Sequence, residues 1–107
     1  MGSTLGEFEQ LVLLALVRLG DDAYGVTVRR ELEKRAARSV SLATVYTTLA
    51  RLEAKGLVDT RVGEPTPQRG GRRKKHYVIV PAGRRALRDT LRTLRRMTSG
   101  LDAVWDA

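Results

Sequence analysis

The 107-residue chain has no cysteine and a single histidine. The missing thiols exclude disulfides, thiolate nucleophiles and thiol-ligated metals, and they agree with a reducing compartment, so the cytoplasm is the expected location. No apolar run is long. The longest, Leu11 to Val17, falls far short of the ~20 residues that span a bilayer. No signal peptide is expected, and "MGSTLG" lacks the hydroxyl residue at position 6 that a myristoylation signal needs. No membrane partner is therefore expected. The stretch "GEPTPQRG" lacks the Lys-Ser/Thr ending of a phosphate-cradling loop. His76 stands in a basic segment, where it reads as a phosphate contact or a bystander rather than a catalytic base. Most acidic residues alternate with Lys and Arg at helical spacings, the pattern of exposed ion pairs. With no catalytic constellation left, the chain is expected not to be an enzyme and to use no cofactor or metal.

Acidic residues are also missing from one particular place. Residues 1–64 hold nine Lys/Arg and nine Asp/Glu, and residues 89–107 hold three of each, whereas residues 65–88 hold eight basic residues and no acidic one. The whole net charge of +8 thus lies in one segment. A soluble surface normally intersperses both signs, and a single-sign block creates a positive potential that attracts phosphates. Its densest part, "RGGRRKKHYVIV" from Arg69 to Val80, is either a solvated basic loop or the part that touches a polyanion. The surrounding elements must decide between them.

An apolar content of 42% with 30% charged residues fits one folded domain with a modest core, completed by a partner chain. "FEQLVLLALVRL", Phe8 to Leu19, is apolar on nearly all sides, as a helix buried between layers would be. Gly20 ends it, and Asp21 or Asp22 is placed to cap a second helix whose Tyr24, Val28, Leu32 and Ala36 form an i, i+4 stripe. A third helix begins at Ser41, a suitable N-cap, and runs to Lys55, where Gly56 stops it.

This third helix carries the most specific local pattern. Leu42, Val45, Leu49 and Leu52 share one side, while Thr44, Thr47, Arg51 and Lys55 lie opposite, with Ser41 at its start and Ala43 at the edge. Small and hydroxylic residues let a helix approach base edges closely, and a long Arg can reach guanine. Tyr46 lies on the flank, where it either packs in the core alone or does so while its hydroxyl reaches a phosphate. After Gly56, "LVDTRV" and "HYVIV" read as two strands of a hairpin whose long tip contains Pro65, Pro67, Gly70 and Gly71.

The expected fold is therefore mostly α with a small β-hairpin, a winged helix-turn-helix over residues 5–80 followed by a C-terminal dimerisation helix over residues 81–107. In it Arg69, Arg72, Arg73, Lys74 and Lys75 of the wing supply phosphate or minor-groove contacts, beside Ser41, Ala43, Thr44, Tyr46, Thr47, Arg51 and Lys55 of the third helix. The last helix starts near Pro81 and presents Leu87, Leu91, Leu94, Leu101 and Trp105 at spacings of three and four, with one step skipped at Thr98. Such a seam either folds back on its own domain or packs on a second subunit, where Leu11 of the all-apolar first helix would join it. Gly100 either kinks or ends that helix. Trp105 is either a packing aromatic or part of a cavity for a flat small-molecule effector.

Three segments, "LGDDAYGVTVRRELE", "SLATVYTTLARLEAKGLV" and "GGRRKKHYVIVPAGRRAL", resemble the corresponding parts of PadR-type bacterial transcriptional regulators in the same order, covering roughly residues 5–95. The resemblance implies a homodimeric, DNA-binding repressor that recognises an inverted repeat in double-stranded DNA and responds to a small ligand. Family members sense phenolic acids, drugs and other compounds, so the ligand does not transfer. A single helix after the wing is similar to the short branch of that family. The competing reading is a winged-helix module that docks RNA or a protein through its basic hairpin.

Overall fold

The computed structural model describes residues 5–62 and 74–103. Four helices and one hairpin follow in the order α1 (Glu7–Leu19), α2 (Gly25–Arg35), α3 (Leu42–Ala54), β1 (Val58–Val62), β2 (Lys75–Ile79) and α4 (Pro81–Thr98), with a short 3-10 turn at Gly20–Asp22 between the first two. Val12 and Leu13 of α1, Val28 of α2, and Val45, Leu49 and Leu52 of α3 are fully buried together, so these three helices share one core. Each Leu or Val so buried contributes about 1.5–3 kcal/mol relative to exposure. Truncating one to Ala leaves a cavity that close-packed neighbours only partly fill.

Local chemistry sets the boundaries. At the start of α1 the Glu9 carboxylate accepts from the Gly6 N–H at 2.9 Å. The second helix is not capped by Asp21 or Asp22, which sit in the 3-10 turn. Tyr24 is the N-cap residue, and Thr27 on the first turn reaches back to accept from the Tyr24 N–H at 3.0 Å. Ser41 does cap α3, its Oγ accepting from the Thr44 N–H at 3.0 Å. At the other end Gly56, with φ of 76°, allows the Gly56 and Leu57 N–H groups to turn back onto the Glu53 and Leu52 carbonyls. That left-handed closure suits glycine because no Cβ opposes it.

The two strands pair antiparallel, with Val58 opposite Ile79 and Val62 opposite Lys75. Val58, Tyr77 and Ile79 face the core. The sequence gives no hint of a further attachment, in which the Tyr77 N–H donates to the Ala23 carbonyl at 2.8 Å and Tyr24 bridges His76. The chain just before α2 thereby becomes a third, minimal strand that ties the hairpin to the helices.

Two expectations need correction. The first helix is not enclosed on all sides, since Val17 is 41% exposed beside half-buried Leu14. The C-terminal seam is also divided. Leu87 is buried in its own domain's core, because α4 crosses back over α1, while Leu91, Leu94 and Met97 are exposed. The helix ends at Thr98, with Gly100 in the left-handed region (φ 80°), so exposed Leu101 lies beyond it. Trp105 falls outside the described residues.

The start of α4 is held by close backbone contact. The Val80 N–H donates to the Leu57 carbonyl at 3.2 Å, and a Cβ added to Gly83 would lie 2.2 Å from that same oxygen and 2.8 Å from Ile79 Cγ1. Only a residue without a side chain fits there. Gly83→Ala should therefore lower the unfolding free energy by about 1–3 kcal/mol in urea titrations, as overpacking against unyielding atoms does. Wild-type stability in this variant would show that α4 is not seated on Leu57.

Candidate nucleic-acid interface

The outward face of α3 follows from its inward one. With Val45, Leu49 and Leu52 buried, the 3.6-residue period turns Ala43, Thr44, Thr47, Ala50 and Arg51 to solvent. Apart from Arg51 these are short side chains, so the helix backbone can come near a partner surface. No ion pair holds Arg51 among the described residues. The Ser41 Oγ is occupied by capping and lies 2.9 Å from the Thr44 hydroxyl. Ser41 thus fixes the start of the helix more than it extends its reactive face. Thr48 turns inward, donating to the Thr44 carbonyl at 3.0 Å.

Lys55 departs from the expected arrangement. As the C-cap residue it leaves the exposed face, and its ammonium binds both oxygens of buried Glu9 at 2.8 and 3.0 Å. Burial alone would raise the Glu9 carboxyl. The Lys55 and Gly6 hydrogen bonds, with the Lys55 and Arg51 charges, outweigh it and hold the group below its ordinary value. This ion pair joins the start of α1 to the end of α3 across 46 positions of sequence.

Tyr46 is 42% exposed and lies over the first residue of α2. A Cβ on Gly25 would come within 2.4 Å of its Cζ and hydroxyl oxygen, so the glycine makes room for the ring. Tyr46 also lies near Tyr77, whose phenol is pushed above its usual value by burial, then by Tyr46 and Glu53. The Tyr24 ring makes a T-shaped contact with His76, with centroids 5.7 Å apart. The Lys74 ammonium stands 4.4 Å from the Tyr24 ring centroid and donates to its hydroxyl at 3.2 Å. Lys75 is exposed, with its ammonium 5.7 Å from the Tyr77 ring centroid. Arg69, Arg72 and Arg73 lie outside the described residues. The small-faced helix, the Tyr46 flank, the start of α2 and the basic strand therefore follow one another across the molecule.

Residues 13–89 match the PadR-like family of transcriptional regulators. The chain belongs to that family. It is 37% identical over 79 residues to the transcriptional regulator Rv3488 of Mycobacterium tuberculosis, an alignment covering 72% of this chain and 67% of the relative. Its fold resembles a PadR family transcription regulator from Clostridium difficile, with a TM-score of 0.75, 22% identity, and coverage of 94% of this chain and 99% of the other. A PadR family regulator from Eggerthella lenta superposes with a TM-score of 0.67 and 24% identity, over 94% and 88% of the two chains.

This PadR-like protein is thus a DNA-binding transcriptional regulator with a winged-helix fold, and not an enzyme. No helix among the described residues is long and apolar enough to cross a membrane, and no cluster of metal-ligating side chains occurs among them. Sequence reasoning missed the clamp on Tyr24 and the use of Lys55. Tyr24 looked like the first residue of a core stripe, and Lys55 sits one helical turn beyond Arg51. Their partners, Lys74 and Glu9, are distant in the chain.

The Glu9–Lys55 pair has a measurable consequence. Since the folded carboxyl titrates below its unfolded value, the unfolded chain binds the proton more readily as the solution is acidified. The contribution is therefore complete above the ordinary glutamate range and is lost as pH falls through the lower folded value. Glu9→Gln should cost about 1–3 kcal/mol at neutral pH in denaturant titrations. The gap from wild type should narrow as pH drops through that window, whereas a pH-independent gap would contradict the ion pair.

Proposed function

We propose that this regulator is a repressor that acts as a homodimer on an inverted repeat in double-stranded DNA, its affinity changed by a small ligand. The observation that carries the reading is the outer face of α3, where Ala43, Thr44, Thr47 and Arg51 stand exposed on a helix whose other side is locked in the core. In this reading residues 5–80 are the DNA-binding unit and α3 enters the major groove, with Tyr46 reaching the sugar–phosphate backbone. The wing residues Arg69, Arg72, Arg73, Lys74 and Lys75 bind phosphates or the minor groove and supply most of the salt-dependent affinity. Arg51→Ala should weaken operator binding by about 1–3 kcal/mol and binding to random duplex far less, as loss of a base-edge contact does. Titrations of both duplexes by fluorescence anisotropy measure the difference. Equal losses would make Arg51 a phosphate contact, and indifference to the substitution would remove α3 from the groove.

The dimer reading rests on the exposed apolar residues of α4. Leu91, Leu94 and Met97 are 39%, 48% and 70% exposed, and Leu91 continues into a groove of about 440 Å³ lined by Leu14, Val17 and Leu87. Residues 81–107 would serve as the dimerisation segment, with Leu11 and Leu101 at its margins and Leu87 acting from within its own core. Two-fold pairing along this seam sets two α3 helices about 34–36 Å apart, one turn of DNA. A ligand between α1 and α4, with Trp105 as a candidate wall, would alter that spacing. Leu91→Asp with Leu94→Asp should yield monomers by light scattering and at least a tenfold loss of operator affinity, because carboxylates would be buried in the interface. A variant that stays dimeric would place the interface elsewhere.

A further inference from the structure

Between Pro81 and Thr98, α4 carries Arg84, Arg85, Arg88, Arg92, Arg95 and Arg96 against the single acid Asp89. The helical period puts positions 84, 88, 92 and 95 on one strip, next to the strip of Leu87, Leu91 and Leu94, and leaves Asp89 further round. The same four arginines line the groove between α1 and α4, together with Leu14, Val17, Leu87 and Leu91. None of the four makes an ion pair or a side-chain hydrogen bond among the described residues.

Solubility alone does not account for this strip. A solvated helix interleaves its charges, as α2 does with the Arg29–Glu33 and Glu31–Arg35 pairs. Like charges three and four residues apart instead repel along the helix, and in α4 no acid in the groove offsets them. Nor is the groove an extension of the α3 face, because no residue of α3 or of either strand lines it. A nucleic-acid backbone would leave its apolar lining unused. The volume of about 440 Å³ is that of a small-molecule site. An apolar lining beside a row of cations matches a molecule with the same division, a hydrocarbon chain ending in an anion. Burying the chain frees water from the leucines and Val17, and a carboxylate or phosphate head accepts paired N–H groups from a guanidinium fork. From Arg84 to Arg95 the row rises about 16 Å along the helix, so a head with several charges engages more than one arginine.

We propose that the α1–α4 groove binds an acyl-chain amphiphile with an anionic head, its chain on Leu14, Val17, Leu87 and Leu91 and its head on Arg88 and Arg92 at the centre of the row. This deepens the small-ligand reading above and rests on it, naming the ligand's class and the side chains that select it.

Isothermal titration calorimetry of the full chain, below micelle formation, compares laurate and lauroyl-coenzyme A with dodecanol, dodecyltrimethylammonium and free coenzyme A. The two acyl anions should bind at least about tenfold more tightly than the neutral, cationic or chain-free probes. Tighter binding of lauroyl-coenzyme A would assign the head to phosphates, and tighter binding of laurate to a carboxylate. Arg88→Gln with Arg92→Gln should weaken the acyl anions about tenfold, whereas Arg88→Lys with Arg92→Lys should retain most of the affinity. Val17→Asp should weaken both acyl anions, since it sets a carboxylate against the chain. Circular dichroism melting checks that each variant folds. Equal binding of dodecanol or the cationic probe, or acyl-anion binding indifferent to the paired Gln substitutions, would overturn the site. Fluorescence anisotropy on an operator selected from a random library then reads the coupling to DNA separately. A shift in operator affinity on adding the acyl anion supports the site as the regulatory one. Calorimetric binding that leaves operator affinity unchanged would keep the site and sink the small-ligand control of DNA binding.

Discussion

The orientation of α3 is the constraint on which the rest depends. Its inner face is fixed by the complete burial of Val45, Leu49 and Leu52 against Val12 and Leu13 of α1 and Val28 of α2. Because a helix has one rotation about its axis, fixing that face also fixes Thr47 and Arg51 on the other. The position along the axis is fixed separately at its ends. Ser41 holds the first turn, Gly56 reverses the chain, and Glu9 binds Lys55 at the last turn. The recognition role proposed for this face needs side chains held within a fraction of an ångström, and Thr47 and Arg51 stand on a rigid element rather than on a loop.

Buried Glu9 is the least obvious part of this arrangement. An ion pair of this kind often adds little net stability, because both charges lose hydration. Its geometric effect is larger than its energetic one. Hydrogen bonds from Lys55 and Gly6 converge on one carboxylate, so the start of α1 and the end of α3 cannot move independently. A well-packed apolar pair could match the stability but would not fix direction as sharply. The lysine expected on the exposed face of α3 is thus better understood as part of what orients that face.

The helices, the hairpin and the exposed side of α3 were legible because each has a strong local signal. Ser41 and Gly56 bracket α3, Pro81 opens α4, and period-three-and-four leucines mark the buried faces. The misread residues fall into two kinds. The Asp21/Asp22 cap is displaced locally, by Thr27 reaching back to Tyr24, whereas Lys55 and Leu87 were assigned by their place on a wheel while their surroundings come from segments far away in sequence. Leu87 belongs to the same leucine series as Leu91 and Leu94, and periodicity has no means of telling that α1 covers the first and leaves the others open. Gly83 and Gly25 were equally silent. Their importance is that Leu57 O and the Tyr46 ring occupy the space a side chain would need, which is visible only in three dimensions.

Charge connects the two proposed surfaces and sets them against each other. In α4, Arg84, Arg88, Arg92 and Arg95 line the groove that contains Leu14, Val17, Leu87 and Leu91. Pairing two such helices brings like charges together while it buries the leucines, so part of the apolar gain is offset by repulsion. Salt screens that repulsion over a Debye length of about 8–10 Å at physiological strength and so favours assembly. The same salt would weaken the phosphate contacts proposed for the wing by reducing the gain from counterion release. Operator affinity, which needs both, should therefore decline less steeply at low salt than a phosphate count alone implies, because improved assembly partly compensates there. Once the proposed dimer were fully formed that compensation would end, and the steep dependence expected of the basic wing alone would govern binding.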